Sequence, residues 1–404
     1  MATRPEAVGF SSTRLQVLAD AFQRQIDEGG IAGALALVAR NDRIAWTTCL
    51  GWQNRAKRLP MRPDAIFRLA SMTKPLTSVA VMLLAEEGRI DIGAPAALYL
   101  PEFADLKVGV ERIDAATGKP ALALEPLRRP MTVQDLLRHT SGLTYGQFGR
   151  SLVKQATVAA NVMAPDQTLA EFVARLARLP LAYQPGTTWD YGVSTDVLGR
   201  IVEVVSGRDF DRFLAERVTG PLGMADTAFH LDAAQLDRLA EPLQPGGTPS
   251  SSRDFSQRPR WCSGGGGLAS TIADYARFCR MLLNGGVLDG VRLLSPRTVA
   301  FMTADHLGRE LARDPQICAM MTDLAPAVEM GQGFGLGFAV RTEAGRNPAP
   351  GSVGNYFWQG STGPYFWIDP AERMFAILML QVDFAKLDPT RRLMRQLVYQ
   401  ALVG

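Results

Sequence analysis

The sequence is poor in the residues that bind metals or build cross-links: 404 residues hold three histidines, His139, His230 and His306, and four cysteines, Cys49, Cys262, Cys279 and Cys318. The cysteines lie far apart with no C-x-x-C pair, and no histidine falls at a ligand spacing, so neither a disulfide framework nor a zinc site is expected. Charge of one sign is missing too. Lys and Arg number 43 against 40 Asp and Glu, a net +3 with no basic run or stripe, so nucleic acid and anionic membranes are not expected as partners. Nothing approaches the ~18 uninterrupted apolar residues of a membrane span. The first 22 residues alternate polar with apolar and carry Arg4, Glu6, Arg14 and Asp20, so they lack the apolar core of a secretory signal. The chain reads as soluble and cytoplasmic, although a mature chain whose leader had been removed would read the same. Its oligomeric state is not legible.

What is present is ordinary globular material: 47% apolar and 21% charged residues, with 38 Gly and 25 Pro, which excludes disorder as the main state. At roughly 150 residues per domain, the length corresponds to two or three compact units or one core with a large insertion. From Ser11, Leu15, Leu18, Phe22 and Ile26 recur at helical spacing, with Gly29 and Gly30 as a stop. Residues 34–40 and 44–49, around Asn41-Asp42, read as a β-hairpin. Residues 71–87 read as a largely buried helix ended by Gly88. Capping-box patterns at Thr132 and Thr168 and an apolar stretch from Ser194 to Val205 make residues 90–265 mainly helical, with Pro/Gly-rich loops. Residues 246–260 are polar and turn-rich. The run Gly264–Gly267 lacks the lysine and the spacing of a phosphate loop and reads as close backbone packing before a helix that starts near Thr271. Segments 334–341, 356–359, 365–369 and 374–381 read as strands, and 389–402 as a final helix.

These elements predict an α+β protein. One antiparallel sheet is built from both termini and flanked by helices, with residues 1–90 plus 266–404 forming an α/β domain and 91–265 a mainly helical inserted lobe. The crevice between the two is the expected site.

Three constellations there carry chemistry. Ser71-Met72-Thr73-Lys74 opens a helix and sets Ser and Lys on one face. A serine hydroxyl needs a base, and a partly desolvated lysine can have its pKa lowered enough to serve, while the helix N-terminus offers N–H groups to an oxyanion. Trp189-Asp190-Tyr191-Gly192-Val193-Ser194 precedes another helix; Tyr191 is either a packed aromatic at a helix entry or a proton relay whose phenolate a lysine would stabilise. Trp358-Gln359-Gly360-Ser361-Thr362-Gly363 joins two strands, where the small residues either let the Ser361 N–H serve an oxyanion or simply make a tight turn. No serine has Gly at both −2 and +2, so the G-x-S-x-G elbow of the other large hydrolase class is absent.

In type, order and spacing these motifs resemble the serine β-lactamase and penicillin-binding family, and more closely its class C β-lactamase-like esterases, the family VIII carboxylesterases and the related transesterases. Phe67–Lys74, Leu136–Leu143, Pro185-Gly186, Pro221–Met224 and Tyr365–Pro370 carry the likeness, which runs from about residue 12 to 400. The resemblance implies the corresponding fold and a serine hydrolase that forms an acyl-enzyme. Ser71 would be the nucleophile, Lys74 and Tyr191 would share its proton, and the N–H groups of Ser71 and Ser361 would hold the oxyanion. Tyr145, Trp358 and Gly360 would face a small-molecule ester, with no cofactor or metal. Two departures bear on substrate. Val193 replaces the Asn of the second motif, and Trp358 replaces the Lys that opens the third, so groups for an acylamino side chain and a substrate carboxylate are missing. Both point to neutral esters. The alternatives are a β-lactamase or D-amino-acid peptidase of the same superfamily, and a catalytically silent binding protein on this fold. His139, at a helix end, reads as structural.

Overall fold

A computed structural model describes residues 3–242, 253–382 and 387–404. Its centre is an eight-stranded antiparallel sheet made of β1 (Gly33–Arg40), β2 (Arg43–Asn54), β3 (Leu59–Pro60), β4 (Gln332–Phe334), β5 (Ala339–Arg341), β6 (Tyr356–Gln359), β7 (Tyr365–Asp369) and β8 (Met374–Met379), in the order β4-β5-β6-β7-β8-β1-β2-β3. The two ends of the sequence meet where β1 pairs with β8, Leu35 opposite Met379. The β1–β2 hairpin turns on Asn41 and Asp42, both left-handed at φ 51° and 63°, the backbone a two-residue turn between twisted strands requires.

Successive side chains of a strand face opposite ways, and β7 shows what covers each face. Phe366 packs on Tyr275 of α4 (Ile272–Leu283), whereas Trp367 stacks on Tyr399 of α5 (Leu387–Tyr399), which in turn lies against α1 (Ser12–Asp27). On the α4 side the core continues without a break into the helical region through α2 (Thr73–Glu86) and α3 (Ser194–Ser206). Caps act as read from the sequence: Ser11 and Thr271 accept the N–H groups of Arg14 and Asp274, and the capping boxes at Thr132 and Thr168 both form.

Four readings are corrected. Residues 334–341 are two short strands and not one, because Gly337, at φ 101°, turns the chain between β4 and β5. The middle region also carries a hairpin of Lys107–Ile113 with Pro120–Pro126, whose mostly exposed side chains supply little apolar alternation for a sequence to reveal. Residues 71–87 are not one helix, since a 3₁₀ turn, Ala70–Met72, precedes α2. The last helix starts two residues before its expected Pro389 and ends at Tyr399. Of the polar stretch 246–260, positions up to 252 lie outside the described residues.

A buried ionic cluster fixes the segments that later form the site. Lys154 donates to Asp314 Oδ2 (2.7 Å) and to the Phe148 carbonyl (3.0 Å), and its Nζ lies 3.5 Å from Asp190 Oδ1; Tyr183 donates to the same Asp314 oxygen. One ammonium thus ties the loop after Tyr145 to the residue before Tyr191. Removing the cation from two buried carboxylates costs about 3–5 kcal/mol. Lys154→Met should therefore lower the free energy of unfolding by that amount in urea titration. Burial pushes the Asp190 carboxyl up to about 7 from an ordinary 3.8, with Lys154 opposing the shift. The folded state then holds this proton more tightly than the unfolded chain, so stability falls as pH rises from about 4 to about 7. Melting curves across that range should show the slope, and Asp190→Asn should flatten it.

Candidate active site

The nucleophile candidate stands on a strained turn. Ala70 has φ 45°, a conformation that costs an alanine of order 1–3 kcal/mol and persists only where the surroundings enforce it. They do so here: Tyr275 donates to the Met72 carbonyl (3.0 Å) and Thr73 Oγ1 accepts the Leu268 N–H (3.1 Å), pinning the turn from α4 and from the glycine run. Ser71 emerges half-buried just ahead of α2.

Lys74, one turn later and 1% exposed, donates to Ser71 Oγ (3.1 Å), Tyr145 Oη (2.9 Å) and the Gly265 carbonyl (2.6 Å). Its Nζ also lies 4.7 Å from the centre of the Tyr191 ring and 5.4 Å from that of Tyr145. Burial works against its charge, but the facing oxygens of Tyr145 and Tyr191 outweigh burial and raise its pKa. Desolvation was expected to make Lys74 a base; burial does act in that direction here, and the facing tyrosine oxygens act against it. Burial likewise pushes the Tyr145 phenol up, so it stays neutral. Tyr145 was expected to face substrate; here its hydroxyl is a partner of Lys74.

Tyr191 reaches the lysine because Gly192 allows it. A Cβ at Gly192 would stand 2.3 Å from the Leu143 carbonyl, so only glycine lets the 190–193 turn press against the loop that carries Tyr145. Aromatic neighbours then hold the Tyr191 ring: Tyr145 at 5.4 Å, Trp358 at 5.3 Å, His139 at 5.0 Å and Trp189 at 6.2 Å between centroids. His139 belongs to this packing. Its Nδ1 faces the Gly192 N–H at 3.5 Å, and burial together with the Lys74 charge keeps its pKa well below the usual histidine value.

The third motif closes the site from the sheet. A Cβ at Gly360 would meet the Leu69 carbonyl at 2.3 Å, so the end of β6 lies directly against the chain leading to Ser71. Thr362 Oγ1 donates to the Arg68 carbonyl (2.9 Å), and Arg391 of α5 donates from behind to Gln359 Oε1 and to the Gly360 carbonyl. Ser361 is half-buried in this same turn. Trp358 corrects another expectation. It does not offer the crevice an open apolar face: its indole is 1% exposed, wedged edge-on between Tyr191 and Phe334, because its side of β6 is the one covered by the helical region. Its contact in the site is with the Tyr191 ring.

Sequence reasoning missed Gly265 and Arg391. The first sits in a run whose close packing was foreseen, and its carbonyl is a lysine acceptor; the second had no signal, being one arginine on an amphipathic helix. No group of three or more His, Cys, Asp or Glu able to hold a metal occurs among the described residues, and none of their helices is long and apolar enough to cross a membrane.

The Beta-lactamase family model matches residues 18–400, and the chain belongs to that family. It is 34% identical over 364 residues to the Mycobacterium tuberculosis protein Rv1367c, covering 88% of this chain and 87% of that one. It is 29% identical over 423 residues to esterase EstB of Burkholderia gladioli, covering 98% of each. Among solved structures, EstCE1, a hydrolase with promiscuous acyltransferase activity, superposes with a TM-score of 0.77 at 23% identity, covering 96% of this chain and 98% of that chain, which is a likeness of fold. The antiparallel sheet flanked by helices is thus the β-lactamase and penicillin-binding-protein fold.

A hydrogen bond to a charged group contributes about 1.5–3 kcal/mol, roughly 10- to 150-fold in rate if it is needed in the transition state. Tyr145→Phe should keep the ring packing and the melting temperature while lowering kcat/KM for an ester by that factor. Unchanged kcat/KM would show that Lys74 does not need this partner.

Proposed function

We propose that the protein is a serine carboxylesterase that hydrolyses or transesterifies short-chain, neutral carboxylic esters through an acyl-enzyme on Ser71. The observation that carries this reading is the 3.1 Å contact of Ser71 Oγ with a buried lysine whose charge lies over Tyr191. Ser71 Oγ attacks the ester carbonyl carbon and its proton passes to Tyr191, whose phenolate form the Lys74 ammonium stabilises. The carbonyl oxygen becomes an oxyanion between the backbone N–H groups of Ser71 and Ser361. As the C–O bond to the alcohol breaks, that alcohol takes the proton back from Tyr191. Water or a second alcohol then attacks the acyl-enzyme by the same steps in reverse order.

Two features favour neutral esters. Val193 and Trp358, both buried, hold the motif positions where the related β-lactamases carry an Asn and a Lys, so neither position supplies an amide for an acylamino side chain or a cation for a substrate carboxylate. Burying a carboxylate there without a partner costs free energy that a neutral ester avoids. Esterase EstB, alike over nearly its whole length, supports ester cleavage, and the acyltransferase activity in the description of EstCE1 agrees with an alcohol as acyl acceptor.

A fluorophosphonate label followed by mass spectrometry tests the nucleophile. Wild type should take up one label on Ser71, and Ser71→Ala, still folded, should take up none and lose p-nitrophenyl ester hydrolysis. Stoichiometric labelling of Ser71→Ala would overturn the assignment, and absence of labelling and turnover in wild type would favour a binding protein. On the same preparations, kcat/KM should be far higher for p-nitrophenyl butyrate than for a chromogenic cephalosporin; the reverse order would make the protein a β-lactamase.

A further inference from the structure

We propose that Asp196 is the counter-charge of the Lys74 ammonium, coupled to it through the backbone of Gly265, and that its charge sets the acid limb of the pH dependence of turnover. The proposal deepens the reading of Lys74 and Tyr191 as the proton-handling pair.

The three oxygens that accept from Lys74 belong to a serine, a tyrosine and a peptide, all neutral. A carboxylate close by adds the balancing charge that these neutral oxygens do not carry. Asp196, in the first turn of α3, is 1% exposed. Its Oδ1 accepts the Ser263 hydroxyl (2.6 Å) and the Gly265 N–H (3.3 Å), while Oδ2 has no hydrogen-bond partner among the described residues. Gly265 therefore stands between the two charges, its N–H turned to the carboxylate and its C=O to the ammonium. Both dipoles have their favourable ends toward the charge they meet. The spacing is tight: a Cβ at Gly265 would lie 2.4 Å from Asp196 Oδ2 and 3.3 Å from Tyr145 Oη.

The hydrogen-bond pattern favours the ionised carboxylate. Two donors converge on Oδ1, and hydrogen bonds donated to a carboxylate favour its charged form. Burial pushes the Asp196 pKa up, opposed by the Ser263 hydroxyl and by the charge of Lys74. The titratable groups around this pair are Lys74 of α2, Tyr145 of the loop after His139, Tyr191 of the turn before α3, and His139 itself, kept neutral by burial and by Lys74. None of the others is a carboxylate. Asp196 acts through Gly265 and is a positioning residue.

Asp196→Asn keeps the shape and an Oδ1 acceptor while deleting the charge. Without the anion, the site around Lys74 gives up a proton more easily, so the acid limb of kcat/KM for p-nitrophenyl butyrate should move to lower pH by about one unit or more. An unmoved limb, or one moved upward, would overturn the proposal and leave Asp196 a purely structural acceptor. A second measurement needs no turnover, and so separates failure of the coupling from failure of the esterase reading. In thermal unfolding, Asp196→Asn should lower Tm in the wild-type background and raise it in the Lys74→Met background, where the carboxylate is left without its cation. The same change in both backgrounds would overturn the coupling. Should Asp196→Asn alone not fold, a Lys74→Met/Asp196→Asn double variant that folds supports the proposal, and one that does not fold overturns it.

Discussion

A buried ammonium must be surrounded by oxygen, and the site of this protein is organised by that requirement. Lys74 cannot reach water, so the chain brings it a serine hydroxyl from its own turn, a phenol from the loop after His139, and a peptide carbonyl from the glycine run. Those segments are separated by up to 191 positions in sequence. The glycines at 192 and 265 are the steric consequence: at both places a Cβ would collide with the partner segment, and the ammonium would lose an acceptor.

Around that charge lies a shell of aromatic rings in place of the usual aliphatic packing. Tyr191 is confined by Tyr145, Trp358, His139 and Trp189, and Phe334 closes the back against His139, Trp189 and Trp358. Rings set edge-on (Tyr145, Trp358), stacked (Trp189) and tilted (His139) around one ring leave it few orientations. The phenolic oxygen is therefore aimed by packing, while the lysine beneath the ring supplies the field. The Lys154 cluster joins the same two loops again, through the Phe148 carbonyl on one and Asp190 on the other.

Much of this was legible in the sequence, for reasons that differ by residue. Ser71 and Lys74 are neighbours on one turn, so local spacing alone sets their contact. The β1–β2 hairpin was readable because Asn41-Asp42 tolerates the left-handed backbone its turn requires. Tyr191 and Gly360 were reached through the order of motifs, since nothing local tells a packed tyrosine from a relay. The surroundings of Lys74 were not readable. Burial and facing oxygens act in opposite directions, and only three-dimensional placement shows which prevails. Trp358 was misjudged because strand alternation gives two faces without saying which one the helical region covers. Gly265 and Arg391 act through backbone carbonyls, and backbone partners leave no mark on side-chain patterns.

The pairing of β1 with β8 has a kinetic consequence. Leu35 finds Met379 only after almost the whole sequence has been synthesised, and the turn that closes on Leu69 comes from the same late strands. Contacts of such long range are slow to form because loop-closure entropy is lost before they contribute. During synthesis the serine turn, its lysine and both tyrosines leave the ribosome without the sheet that fixes them, and the strained backbone at Ala70 has nothing to enforce it. On the incomplete chain the turn that carries Ser71 thus lacks the strand end that packs against it until the last strands dock.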